Sequence, residues 1–160
     1  MIGVDVSTFV GLARVEGPEI MGKIINFPKH SRWNRVQLIA DEVKRVFSVW
    51  QPQSGEIIFE SYAYGNHNSL VTLVEIGTVL RYSLFQQRVN WWEVNPLTVK
   101  KWLTGSGKAK KVDMAKAVKV RWKYSSPSDD VTDAVALSQY GVWLHQQDMG
   151  VQITGVRKGF

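Results

Sequence analysis

Two acids stand where acids are costly. Asp5 lies inside the apolar run IGVDV at residues 2–6, and Glu60 closes the run IIFE at residues 57–60. An ionised carboxylate in such a strand needs a partner or a cation. Taken singly, each has an ordinary explanation, because a strand-end acid can face solvent or pair with a lysine. Together with Asp130 and Asp133, which open a helical stretch in SDDVTDAVALS, they form a set that could converge. The chain has no cysteine, and His30, His67 and His145 show no ligand spacing, so the donors available are oxygens. Carboxylates without His or Cys suit hard cations such as Mg²⁺ or Mn²⁺. Two such ions about 3.5–4 Å apart activate the attacking water and stabilise the leaving oxygen in phosphodiester hydrolysis. Helical spacing alone allows either Asp130 or Asp129 to act with Asp133.

The charge distribution points to the same substrate. Net charge is +6, and nine of the twenty Lys and Arg residues fall between Lys100 and Lys123, against one acid there, Asp113. Lys100, Lys101, Lys108, Lys110 and Lys111 open that cluster and are candidate contacts to a nucleic-acid backbone. Such lysines also serve simply to solvate exposed helices.

The elements that must position these groups follow from pattern. Residues 2–6, 10–17 and 20–27 read as three strands with short connections, an antiparallel meander. RWNRVQLIADEVKRVFSVW has helical apolar spacing and ends at QPQSG. EIIFES is a fourth strand, residues 69–87 a long helix, and VNWWEVN a fifth strand, its two tryptophans on opposite faces. Helices follow at PLTVKKWL, with Pro96 in the first turn, at KKVDMAKAVKVRWK, and from SPSDD onward. This order predicts an α/β fold: a mixed five-stranded sheet with helices on both faces, in a single domain over 1–160. The glycine-rich basic tail, 148–160, is expected to be loosely ordered.

The stretches IGVDVSTFVGLA, IIFESYAYGN, NPLTVKKWLTGSGKAKKVDM and SDDVTDAVALS, in that order, resemble the RuvC-type Holliday junction resolvases of the ribonuclease H-like superfamily. The resemblance implies that fold and a homodimeric, divalent-metal-dependent endonuclease. It implies paired symmetric nicks in four-way DNA junctions that leave 5′-phosphate ends. It makes Asp5, Glu60, Asp130 and Asp133 the metal ligands and catalytic carboxylates, for two Mg²⁺ or Mn²⁺ ions per site. The pattern P-x-x-V-K and G-x-G-x-A-x-K matches at Pro96, Val99, Lys100, Gly105, Gly107, Ala109 and Lys111; it implies that Lys100 and Lys111 act near the scissile phosphate, Lys111 in catalysis. This chain has Asp5-Val6-Ser7 where the family usually has Asp-Pro-Gly. The family's stacking aromatic falls at Ala63, so Tyr62 and Tyr64 are the candidate DNA contacts.

The resemblance also bears on the spare aspartate. With Ser126 as N-cap and Pro127 in the first helical position, Asp129 three residues on completes a capping box. At ~100° per residue, Val131, Ala134, Val135 and Ser138 form the buried side, with Asp130 at its margin and Asp129 nearly opposite. Asp130 and Asp133 then match the family's D-x-x-D.

Other features are plainer. GSG within TGSGKAKK lacks the full phosphate-loop spacing and reads as a flexible connector. Trp33, in HSRWNR, is the best exposed aromatic for a nucleic-acid contact, whereas most of the other tryptophans fit the core. The helix at 69–87 carries more apolar residues than one sheet face needs, so burial against a second subunit is expected. No run could span a bilayer and no targeting segment precedes the first strand, so a cytoplasmic protein of bacterial or bacteriophage origin is expected. The alternatives are a less selective nuclease of flaps and forks, or a silent nucleic-acid-binding module on the same fold.

Overall fold

The computed structural model describes residues 1–62, 67–147 and 156–159. β1 (Ile2–Val6), β2 (Val10–Glu16) and β3 (Glu19–Ile25) form the antiparallel meander, with Asp5 opposite Gly11 and Val10 opposite Ile25. α1 (Arg32–Trp50) leads to β4 (Ile57–Glu60), which lies parallel to β1 on its free side. α2 (His67–Gln86) leads to β5 (Trp91–Val94), parallel to β4. α3 (Pro96–Thr104), α4 (Lys111–Trp122) and α5 (Asp129–Gln147) complete the helices. The strand order is β3-β2-β1-β4-β5, extended by a sixth strand, β6 (Val156–Gly159), antiparallel to β5.

β6 corrects one expectation. Part of the tail, VRKG, is a strand. Four residues ending in glycine carry no apolar alternation, so pairing with the edge of β5 and not local pattern makes them one. The rest of the tail lies outside the described residues.

The period of two along each strand separates two cores. Ile2, Val4, Ile57, Phe59 and Trp91 face α1 and α2, where Val36, Ile39, Val43, Ile76 and Leu80 meet them. Ile58 and Val94 face α3, α4 and α5, packing with Val99, Met114, Val118, Ala134, Leu137 and Tyr140. Trp91 and Trp92 divide between the two sides. Among the described residues no helix is long and apolar enough to cross a membrane.

Gly3 and Asp5 share the α5 side of β1, and α5 lies unusually close to the sheet there. A Cβ on Gly3 would stand 2.1 Å from the Ala134 carbonyl oxygen, and one on Gly11 would stand 2.1 Å from that of Asp130. Backbone meets backbone, so neither neighbour can swing aside. Gly11→Ala should therefore lower the unfolding free energy by about 1–3 kcal/mol, read from urea denaturation, with a wild-type midpoint as the contrary result.

Candidate active site

β1 and β4 run parallel with Val4 beside Phe59, which sets Asp5 and Glu60 side by side at the same end of the sheet. The close approach of α5 at Gly11 delivers Asp130 and Asp133 to them. Both are half-buried while Asp129 is exposed, the division that the helical wheel gives. The cap differs from expectation. The helix begins at Asp129, the Val131 N–H donates to Ser128 Oγ at 3.4 Å, and Ser126 Oγ accepts instead from the Ser128 N–H at 3.1 Å. Two nearby serines can each cap, and Ser126 spends its hydroxyl on the Pro127 turn. Asp129 is thus in the first turn and pairs with Lys111, Nζ to Oδ2 at 3.2 Å.

Electrostatics ties the four carboxylates together. Asp5 is 8% exposed; burial raises its carboxyl well above the usual range, and the charges of Glu60, Asp133 and Asp130 raise it further against Lys111. Burial and Asp133 push Glu60 up to about 7, with Lys100 opposing. Burial pushes Asp133 up to about 6, opposed by Lys100 and Lys111 and supported by Asp129 and Asp130. Burial acts to lower Lys111, but its hydrogen bond to Asp129 and the charges of Asp129, Asp130 and Asp133 hold it above the usual lysine value. Lys100 and Lys111 are therefore the two lysines that act on the carboxylates.

The remaining expected contacts are placed elsewhere. Lys108 and Lys110 line a groove with Lys116, Ala117 and Val120, and Lys101 lines a cleft with Trp102, Tyr140 and Trp143. Tyr62 turns onto α2, its hydroxyl accepting from Arg81 Nη1 at 3.2 Å and its ring 4.7 Å from the guanidinium carbon. Tyr64 lies outside the described residues.

Two positioning side chains escaped sequence reasoning. Ser7 Oγ donates to Asp130 Oδ1 at 2.9 Å and accepts from the Phe9 N–H at 3.0 Å, clamping the turn after Asp5 to the start of α5. Arg81, buried, pairs with Glu93 at 2.6 Å and donates to the Glu60 carbonyl at 3.1 Å. Ser7 had a signal, the departure from Asp-Pro-Gly; Arg81 on a helix surface had none.

The donor set fits a hard divalent cation, being all carboxylate and short of compensating charge. Its spacing is open: among the described residues no three His, Cys, Asp or Glu side chains stand close enough together to hold a metal ion as they are.

A meander followed by two parallel strands, with carboxylates meeting where the parallel pair ends, defines a ribonuclease H-like α/β fold. The family model described as crossover junction endodeoxyribonuclease RuvC matches residues 12–139, a span that includes every site residue except Asp5 and Ser7. The chain belongs to the RuvC family. It is 26% identical over 157 residues to crossover junction endodeoxyribonuclease RuvC of Prochlorococcus marinus (strain NATL2A), covering 90% of this chain and 98% of that protein. It is 25% identical over 127 residues to the protein of that name from Synechococcus sp. (strain CC9902), covering 78% and 80%. Among solved structures, Thermus thermophilus RuvC superposes with a TM-score of 0.73 at 21% identity, covering 91% of this chain and 95% of that one. The T. thermophilus RuvC in complex with a Holliday junction substrate gives 0.76 at 19% identity, covering 92% and 94%.

The raised carboxyls carry a stability cost with a defined sign. Glu60 titrates near 4.5 when unfolded and about 7 when folded, so the folded state binds the extra proton between those values. Its contribution is fully present below about 4.5 and lost as pH rises through 7. In chelator, Glu60→Gln should be more stable than wild type at pH 8 by about 1–3 kcal/mol, the gap narrowing toward pH 5. Denaturant midpoints at the two pH values check this, and a gap that does not change with pH contradicts it.

Proposed function

We propose that this chain is a single-domain, divalent-metal-dependent DNA endonuclease that acts as a homodimer and resolves four-way junctions by paired symmetric nicks. The observation that carries the reading is the placement of Asp5 and Glu60 on adjacent parallel strand ends, with α5 pressed on β2 at Gly11 to bring Asp130 and Asp133 within electrostatic reach of them, of Lys100 and of Lys111. Family membership and the printed activity of the relatives support it.

Asp5, Glu60, Asp130 and Asp133 would hold two Mg²⁺ or Mn²⁺ ions. Bound there, such ions supply an activated water and charge stabilisation at the leaving oxygen. The protein's own groups do the rest. Ser7 fixes the Asp130 carboxylate through its hydroxyl, and Arg81 fixes the backbone carrying Glu60. Lys100 and Lys111 offset carboxylate charge and bring positive charge to the scissile phosphate. Lys111 is free to leave Asp129, because that ion pair is exposed on both sides and exposed pairs are worth little. Lys101, Lys108 and Lys110 extend the basic surface along the DNA backbone.

The second subunit accounts for an outer face of α2 that is apolar but uncovered. Val71, Val74, Tyr82 and Phe85 are exposed on it, the last two at 59% and 57%. They are spaced three, eight and three residues apart, which at ~100° per residue keeps them on one helical stripe. A two-fold axis on this stripe gives one site per nicked strand. One observation favours the less selective reading, a flap or fork nuclease: Tyr62 is held by Arg81 and not presented as a free ring.

Synthetic four-way, three-way and linear duplexes incubated with Mg²⁺ or Mn²⁺ decide between them. Symmetric nicks confined to the four-way junction support resolution, and cutting of all branched forms supports the alternative. Asp5→Asn and Asp130→Asn should each reduce cleavage by at least about 10²-fold with binding retained, whereas Asp129→Asn should still cut; undiminished cutting by Asp5→Asn overturns the assignment. Phe85→Glu should convert a dimer to monomers in sedimentation, since a charge on an apolar interface core is strongly disfavoured; an unchanged sedimentation coefficient places the interface elsewhere.

A further inference from the structure

We propose that Trp33, backed by Arg32, is a stacking platform for a nucleobase at the DNA branch point. The inference rests on the reading of the chain as a branched-DNA nuclease and adds a binding site outside the carboxylate centre.

Its place in the fold comes from register. Val6 pairs with Val10 and Val10 with Ile25, so β3 ends at the edge where β1 ends, just past Asp5. α1 begins at that same edge. Arg35, in its first turn, donates to the Thr8 carbonyl and lies 6.0 Å from the Phe9 ring centroid, on the turn that Ser7 ties to Asp130. Trp33 lies in that same first turn, so the helix start that carries it stands at the end of the sheet where β1 ends.

Trp33 is 65% exposed, and the core does not use it. Its ring is nonetheless backed. The Arg32 guanidinium lies 5.5 Å from the ring centroid and is itself held by Glu75 on α2, with Nε to Oε2 at 2.9 Å and a second bond from Nη2 to Oε1. The Glu75 side chain is largely buried, so α2 anchors the cation behind the ring. Lys29, Arg32 and Arg35 also make this segment basic. A flat apolar surface among cations suits a ligand that is both planar and polyanionic. Bases in intact duplex already have both faces stacked, whereas a branch point exposes faces to an aromatic ring. An acidic peptide would use the cations and leave the indole wet. A second copy of the chain is the other candidate occupant, because Glu75 stands one turn from Val71 on the uncovered stripe.

The test uses full-length wild type, Trp33→Ala and Trp33→Phe, with binding to a four-way junction and to a linear duplex of equal length measured in chelator. A 2-aminopurine beside the branch point reports stacking. Trp33→Ala should lose roughly ten-fold in junction affinity, keep its duplex affinity and wild-type sedimentation, and no longer quench the probe; Trp33→Phe should restore most of the loss. Unchanged junction affinity, or an equal loss on duplex, overturns the platform. Loss accompanied by dissociation to monomers overturns it in favour of a subunit contact. Wild type that does not distinguish junction from duplex overturns the junction reading itself, a result separable from the others because it appears without any substitution.

Discussion

The backbone of α5 rests on the backbone of β1 and β2, and the candidate site exists because it does. Gly3 and Gly11 leave no side chain between them, so the Ala134 and Asp130 carbonyls come where a Cβ would otherwise sit. That approach converts two carboxylates on a helix and one in a strand, 125 residues apart for Asp130 and Asp5, into neighbours. Ser138 secures the far end, its buried hydroxyl placed against the Met1 and Ala13 carbonyls at 2.9 Å each, and Ser7 secures the near end at Asp130. The site is therefore held by a rigid contact between elements and not by a loop.

Close approach creates the electrostatic problem that the basic residues answer. Burial and mutual repulsion raise Asp5, Glu60 and Asp133, so ionising them together is costly without added positive charge. Lys100 and Lys111 oppose the shift only in part. Stability and function pull apart here: carboxylates that weaken the fold at neutral pH are the ones with the strongest demand for cations.

Much of this was legible in residue pattern. α1 spans the residues its apolar spacing indicates, and β1 coincides with the first apolar run. Asp5 and Glu60 stood out because a charge in an apolar strand needs a reason, and the wheel anticipated that Asp130 is more buried than Asp129. What pattern lacked was anything decided by distant contact. β6 forms because β5 offers an open edge. The helix start moved from Ser126 to Ser128 because both are competent caps. Arg81 looked like an ordinary helix cation, yet it is buried among Glu93, the Glu60 carbonyl and the Phe59 and Tyr62 rings. Its role depends on which strands lie beneath α2, which no local period encodes.

Arg81 also shows how the two faces of the sheet are coupled. The carboxylates lie on the α5 side, while the uncovered apolar stripe lies on α2, on the other side. Arg81 sits on the inner face of α2 and reaches the strand end that carries Glu60. A displacement of α2 on its outer stripe would shift the guanidinium, and with it the carbonyl beside a candidate ligand. The contact is short and charge-assisted at Glu93, so Arg81 ties α2 to the ends of β4 and β5. A subunit seated on α2 would then do more than double the number of sites: it would fix the position of Glu60 in each.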